Sequence, residues 1–201
     1  MKKIISYTTA LFLGILLSSG SCNTDAFDLE QEVKINGVTW ADRNVDTKGN
    51  FAAKPESFGK FYQWNRDTPW NTSGSVTGWP NTTSGITWES INDPCPVGYR
   101  VPSKADFEKL IAATNFKWTK VGGVRGGLFT DINTGKSIFL PAAGNRFYDG
   151  SLIDVGVAIR YWSSTKSSGG DAYLLNHTED LSLTIMSQAG ARGCSVRCVK
   201  M

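Results

Sequence analysis

The chain has 201 residues, 40% of them hydrophobic and 11% aromatic, and a formal net charge of +3. That length fits one domain able to bury a substantial core, and the near-neutral charge gives no electrostatic footprint for nucleic acid, so no nucleic-acid partner is expected. Glycine (21) and tryptophan (7) are abundant, and many turns and large aromatics with few helix signals predict a β-rich, loop-rich domain.

The first element is Lys2 and Lys3, an apolar run over residues 4–17, then Ser18, Ser19, Gly20 and Ser21 before Cys22. A basic start, a short apolar core and small exit residues describe a secretory signal peptide over 1–21. The run is shorter than the roughly 20 residues a membrane-spanning helix needs. A cysteine directly after small residues resembles the lipobox of bacterial lipoproteins, with Ser19 standing where Leu is usual. The resemblance implies lipidation of Cys22, the membrane as a partner through that anchor, and localisation at the outer membrane or cell surface of a Gram-negative bacterium. In such lipoproteins Asn23 suits the outer membrane, and Asp25, Asp28 and Glu30 suit surface export. A plain secretory signal is the alternative. Residues 22–31 then form an acidic tether ahead of a domain over 32–201.

Residues 32–40 read as a hairpin, because Asn36-Gly37 tolerates the positive φ of a type I′ turn and apolar residues alternate on both sides. Residues 46–91 carry little periodicity and hold Trp64, Trp70, Trp79 and Trp88; a loop that long within a domain is usually functional or mobile. One helix is well signalled over about 103–114. Ser103 and Asp106 form a capping box, and Phe107, Leu110 and Ile111 an apolar stripe. Strands are expected around 117–121, 127–130, 137–140, 158–164, 172–176, 181–186 and 195–200, with an Asn133-Thr134-Gly135 turn between the second and third. Leu181, Leu183 and Ile185 alternate with Ser182 and Thr184, as in a strand with one buried face. One helix among short strands makes the fold class α+β.

The cysteines constrain this arrangement. On a continuous strand over 195–200, Cys194 and Cys198 would share a face roughly 13 Å apart, beyond the reach of a disulfide. Export favours oxidation. Cys95 therefore pairs with Cys194 or with Cys198, leaving one buried thiol; closing a loop of about 100 residues contributes roughly 4–5 kcal/mol on the chain-entropy model.

No residue set marks a reaction. The one histidine, His177, cannot supply a multi-histidine metal site, and no triad spacing is present. Asp149, Asp154 and Asp171 would meet around calcium only if their loops converge, and no motif supports a cofactor. The aromatics are more informative. Sugars present apolar C–H faces edged with hydroxyls, and Trp or Tyr beside Asn, Asp and Arg makes a platform for them. Trp70, Asn71, Trp79, Asn81, Asn145, Arg146, Tyr148 and Asp149 fit that description and are the candidate ligand-binding residues; Trp40, Trp64, Trp118 and Trp162 are assigned to the core.

Four blocks, Asp93-Pro94-Cys95-Pro96-Val97-Gly98-Tyr99-Arg100-Val101-Pro102-Ser103, Leu140-Pro141-Ala142-Ala143-Gly144, Tyr161-Trp162-Ser163-Ser164-Thr165 and Gly193-Cys194-Ser195-Val196-Arg197-Cys198-Val199, occur in this order. Together they resemble the Fibrobacter succinogenes major paralogous domain family over roughly 33–200. Tyr99, Val101 and Cys194 depart from its usual residues. That family is similar to C-type-lectin-like domains, so the resemblance implies mostly antiparallel twisted sheets, an early helix, long loops, adjacent chain ends and a Cys95–Cys198 disulfide. The Glu-Pro-Asn and Trp-Asn-Asp motifs of sugar-binding C-type lectins are absent. The expected function is a cell-surface binding module for a glycan or a surface protein. A structural or adhesin subunit of a surface assembly is the alternative. An oxidase using a pair of C-terminal cysteines, which the lectin-like fold also hosts, is a third reading.

Overall fold

Asn36 and Gly37 sit at φ 47° and 80°, and this turn folds β1 (Glu32–Ile35) back onto β2 (Val38–Ala41) with Ile35 opposite Val38. The computed structural model describes residues 32–82 and 85–201; the expected signal peptide over 1–21, Cys22 and the expected tether over 22–31 lie outside the described residues. The described residues of 42–98 are irregular apart from β3 (Tyr62–Gln63) and a short 3₁₀ turn at Ser90–Asn92. β4 (Tyr99–Arg100) follows, and then α1 (Lys104–Ala113).

The capping box is formed in full. The Ser103 side chain accepts from the Asp106 backbone N–H, and the Asp106 carboxylate accepts from the Ser103 backbone N–H at 2.8 Å. Two orphan donors of the first turn are thereby satisfied. The helix ends at Thr114, which is already extended and opens β5 (Thr114–Val121) without an intervening loop. β6 (Val124–Asp131) and β7 (Ser137–Pro141) continue the meander, and the Asp131 carboxylate holds their turn by accepting from the backbone N–H of Asn133 and Thr134. The chain then forms β8 (Asn145–Arg146), β9 (Leu152–Ile153), β10 (Ala158–Lys166), β11 (Asp171–Thr178), β12 (Leu181–Ala189), β13 (Gly193–Cys194) and β14 (Val199–Lys200).

These strands make four small sheets, β1-β2-β14-β4, β10-β11-β12, β3-β13-β8-β9 and β5-β6-β7, with every pairing between named strands antiparallel. With one α-helix among the described residues, the architecture is α+β. One core packs Phe107 and Leu110 of α1 on Val33, Trp40, Phe129, Ile138, Ile159 and Leu175. A second gathers Tyr62, Trp64, Val101, Trp162 and Leu174 around Cys194 and Cys198. Trp64 donates to the Ser163 carbonyl and Trp162 to the Tyr62 carbonyl, at 2.9 and 2.8 Å, so the irregular segment is stitched to β10 through two buried indoles. Trp40, Trp64 and Trp162 are fully buried, and Trp118 is half-buried at the edge of the first core.

Cys95 and Cys198 form a disulfide with Cα atoms 6.0 Å apart, and Cys194 is a buried free thiol. The strand expected over 195–200 is broken. Its residues 195–198 lie between β13 and β14, because they have other partners: Ser195 bridges Tyr161 of β10, Arg197 enters the core and Cys198 reaches Cys95. The buried face expected of β12 is incomplete as well. Leu183 and Ile185 pack on the first core, whereas Leu181 is 59% exposed beside the turn.

Burial alone would raise the Asp106 pKa, but hydrogen bonds from Arg100 and Ser103 outweigh it and hold the carboxylate below its ordinary value. A carboxylate so depressed stabilises the fold above its unfolded pKa of about 4 and loses that contribution as pH falls through its folded value. Asp106→Asn is therefore expected to cost about 1 kcal/mol at neutral pH. In denaturant titrations the gap to the parent protein should narrow as pH is lowered below 4.

Candidate functional site

A cleft of about 530 Å³ opens between the segment Gly74, Ser75, Val76 and the turn that joins β8 to β9, with Arg146, Asp149, Gly150, Ser151 and Leu152 along its other side. The turn is pinned locally. Asp149 accepts from the Ser151 backbone and hydroxyl at 2.9 and 2.6 Å, which depresses its pKa and keeps a negative charge at the mouth.

Arg146 fixes the two walls to each other. Its side chain is fully buried and donates to the carbonyls of Asn71 (2.9 Å), Ser73 (3.1 Å), Gly74 (2.8 Å) and Gly150 (2.7 Å). Burial lowers its pKa, yet a guanidinium stays charged in proteins. Four carbonyl dipoles on one buried cation give a rigid clamp, since every guanidinium nitrogen has a partner.

The tryptophans stand behind this clamp. The Trp70 and Trp79 rings lie 4.8 Å apart, and Trp70 is held by a bridge to Phe61. Trp79 is wedged over two glycines: a Cβ on Gly150 would come within 3.0 Å of it, and one on Gly193 within 2.5 Å of its ring. Only residues without a side chain leave room for the indole. Both indoles are half-buried, and their N–H groups have no protein partner.

The structure thus brings Trp70, Asn71, Trp79, Arg146 and Asp149 to one place. Tyr148, 47% exposed, is beside them, its ring 4.1 Å from that of Phe147, whose other contact is the Arg192 guanidinium. Asn71 is exposed and its side chain accepts from Lys60. Asn145 is fully buried and accepts from Arg160. Asn81 is exposed and follows Pro80, whose carbonyl accepts from Gln63. The exposed side chains lining the cleft are Ser75, Asp149 and Ser151, and Tyr148 is exposed on the same turn. Sequence reasoning missed both serines and the clamping role of Arg146. A charged residue beside a turn signal reads as exposed, and nothing local reports that three distant carbonyls, of Asn71, Ser73 and Gly74, surround it.

The acidic residues considered for calcium do not converge. Asp149 is engaged with Ser151 and Asp154 with Arg160 at 2.6 Å; no group of three potential metal ligands occurs among the described residues. His177 is buried on β11 between Phe116 and Trp118, with ring distances of 4.5 and 5.2 Å, and burial lowers its pKa. Burial pushes the Cys194 thiol up to about 12, so it is protonated at neutral pH and a poor nucleophile.

A second cleft, also about 530 Å³, lies beside the disulfide and includes Trp88, Asp93, Tyr99 and Arg100. Ile91, Val97 and Met201 line it and are 71%, 101% and 78% exposed. Ile91 is in the short 3₁₀ turn and Val97 and Met201 in irregular segments, where no periodicity separates exposed from buried apolar side chains.

With this geometry in view, the comparisons are negative: no family model, curated protein or solved structure matches the chain.

Replacing Arg146 by Gln should leave carbonyls of both walls unpaired, at about 1–3 kcal/mol for each buried group that finds no partner. The expected result is a lowered unfolding midpoint and faster limited proteolysis between residues 71 and 76. Alkylation of the native protein should leave Cys194 unlabelled, and denaturant should expose it; peptide mapping by mass spectrometry reads both states.

Proposed function

We propose that the chain is a surface lipoprotein of the Fibrobacter succinogenes major paralogous domain family whose C-type-lectin-like domain binds an extracellular glycan non-covalently. The observation that carries this reading is the polar cleft clamped by Arg146. Its walls are irregular segments, yet they are fixed before any ligand arrives, and pre-organised loops lose little entropy on binding. The side chains at its mouth include two hydroxyls and a carboxylate, and the exposed Tyr148 ring is on the same turn. Hydroxyls and a carboxylate match sugar hydroxyls, and an exposed ring matches a C–H face.

The cysteine arrangement supports binding over oxidase chemistry. Cys198 is bridged to Cys95, so the two C-terminal sulfurs are not a free pair. The second reading, a structural or adhesin subunit of a surface assembly, draws its support from the exposed Ile91, Val97 and Met201 along the second cleft. Apolar side chains grouped on a surface are common at protein contacts.

The test is a glycan array probed with the purified protein, with and without chelator. Tyr148→Ala and Asp149→Asn are each expected to weaken binding about tenfold, equivalent to ~1.4 kcal/mol, with the unfolding midpoint retained. A folded protein that binds no glycan overturns the glycan reading and leaves the adhesin reading in its place.

A further inference from the structure

The strand edges of this fold are unequally protected. β5, an outer strand, carries Lys117 and Lys120, both exposed. β1 is also outermost but has four residues, with Lys34 exposed. The far side of β10 is covered, because Trp162 donates to the Ser195 carbonyl and Ser195 to the Arg160 carbonyl, at 3.0 and 3.1 Å. Charged side chains, short strands and covering segments are the usual devices that stop a sheet edge from pairing with another chain.

β12 has none of them. It is outermost in its sheet, pairs only with β11, and runs nine residues. Its sequence, Leu-Ser-Leu-Thr-Ile-Met-Ser-Gln-Ala, contains no charge, proline or glycine. Between Leu181 and Gln188 the backbone groups turned away from β11 have no hydrogen-bond partner among the described residues. The strand is also rigidly presented, since Leu183 and Ile185 are packed on the core beneath α1.

We infer that the β12 edge is an interaction surface, and that its occupant is β12 of a second copy, paired antiparallel across a two-fold axis. A two-fold contact uses the same patch on both partners, so the strand must tolerate its own sequence in reverse. An uncharged strand does: no register opposes like charges, which destabilise directly facing pairs. With Ile185 on the axis, Thr184 faces Met186 and Leu183 faces Ser187, and the two three-stranded sheets become one of six. A strand carrying a lysine near its middle, such as β5, would place two ammonium groups near each other in that arrangement. This inference uses no residue of the Arg146 cleft and stands apart from the glycan reading.

The experiment measures molar mass by light scattering on the purified full chain over a range of concentrations, with the parent protein and a Thr184→Lys/Ser187→Lys variant. Both positions are exposed in the single chain, so the variant is expected to keep its unfolding midpoint. The parent should reach twice the mass of one chain at high micromolar concentration, and the variant should stay at the single mass. Amide exchange over residues 182–188 should slow in the parent as it associates. If the double variant does not fold, Ser182→Lys, also at an exposed position, repeats the comparison with one charge. A parent that remains single at every concentration, or a dimer that forms equally well in the lysine variants, overturns the inference.

Discussion

The fold depends on one buried cation. Arg197 has no solvent exposure, and its guanidinium donates to the Asn44 side chain at 3.0 Å and to the carbonyls of Ala41 and Phe139 at 3.2 and 3.0 Å. Asn44 in turn donates to the Tyr161 hydroxyl, and Tyr161 donates to the Pro141 carbonyl, at 3.0 and 3.1 Å. Burial raises the Tyr161 pKa, which keeps its hydroxyl protonated and donating; it lowers that of Arg197, yet a guanidinium stays charged in proteins. Four parts of the chain meet here: the end of β2, the end of β7, the middle of β10 and the closing segment. A half-satisfied network of this depth is worse than an apolar core, so the positions of all four are fixed together. The break between β13 and β14 follows, because a regular strand would turn only alternate residues inward.

Arg146 solves the same problem at the periphery. Both arginines are buried away from a directly bonded carboxylate and are stabilised by carbonyl dipoles, Arg197 by those of β2, β7 and the Asn44 side chain and Arg146 by those of irregular backbone. An irregular segment that runs through the interior leaves carbonyls with no ladder partner, and a planar donor fork satisfies several of them at once. The long stretch between β2 and β4 is ordered by this means, with little regular structure of its own. That is the link between the absence of periodicity in residues 46–91 and the rigid cleft they help to form.

This division also explains what was legible in the sequence. The Asn36-Gly37 turn, the Ser103–Asp106 capping box and the longer strands are local devices, and each left a pattern within a few residues. The disulfide was narrowed by spacing to two partners and assigned by the family resemblance. The two-residue strands β3, β4, β8, β9, β13 and β14 are too short to carry a period. Their pairing depends on what Arg146, Arg197 and the tryptophans hold in place. The tryptophans read correctly where they were assigned to the core, as with Trp40, Trp64 and Trp162. Trp79 was legible only as an aromatic among polar residues. Its seat is made by Gly150 and Gly193, two positions far from it in sequence that act by lacking a side chain. Leu181 shows the converse limit, since strict alternation fails where a strand meets its turn.

In the proposed lipid-anchored protein, the closing of the chain would separate two mechanical tasks. Glu32 begins the described domain, and its carboxylate binds Tyr99 and Lys200, the latter at 2.9 Å. The start of β1, the whole of β4 and the end of β14 are thus tied in one sheet, and Cys198 immediately before β14 is bonded to Cys95. In the lipid-anchored reading, the tether enters at this point. A pull on it then loads β1, β2, β14 and the covalent bridge, where resistance does not rest on hydrogen bonds alone. The Arg146 cleft belongs to a different sheet, that of β3, β13, β8 and β9, and its walls are held by the guanidinium. An anchored binding module needs this separation, because a site strained by its own tether would lose the pre-organisation that makes loop recognition effective.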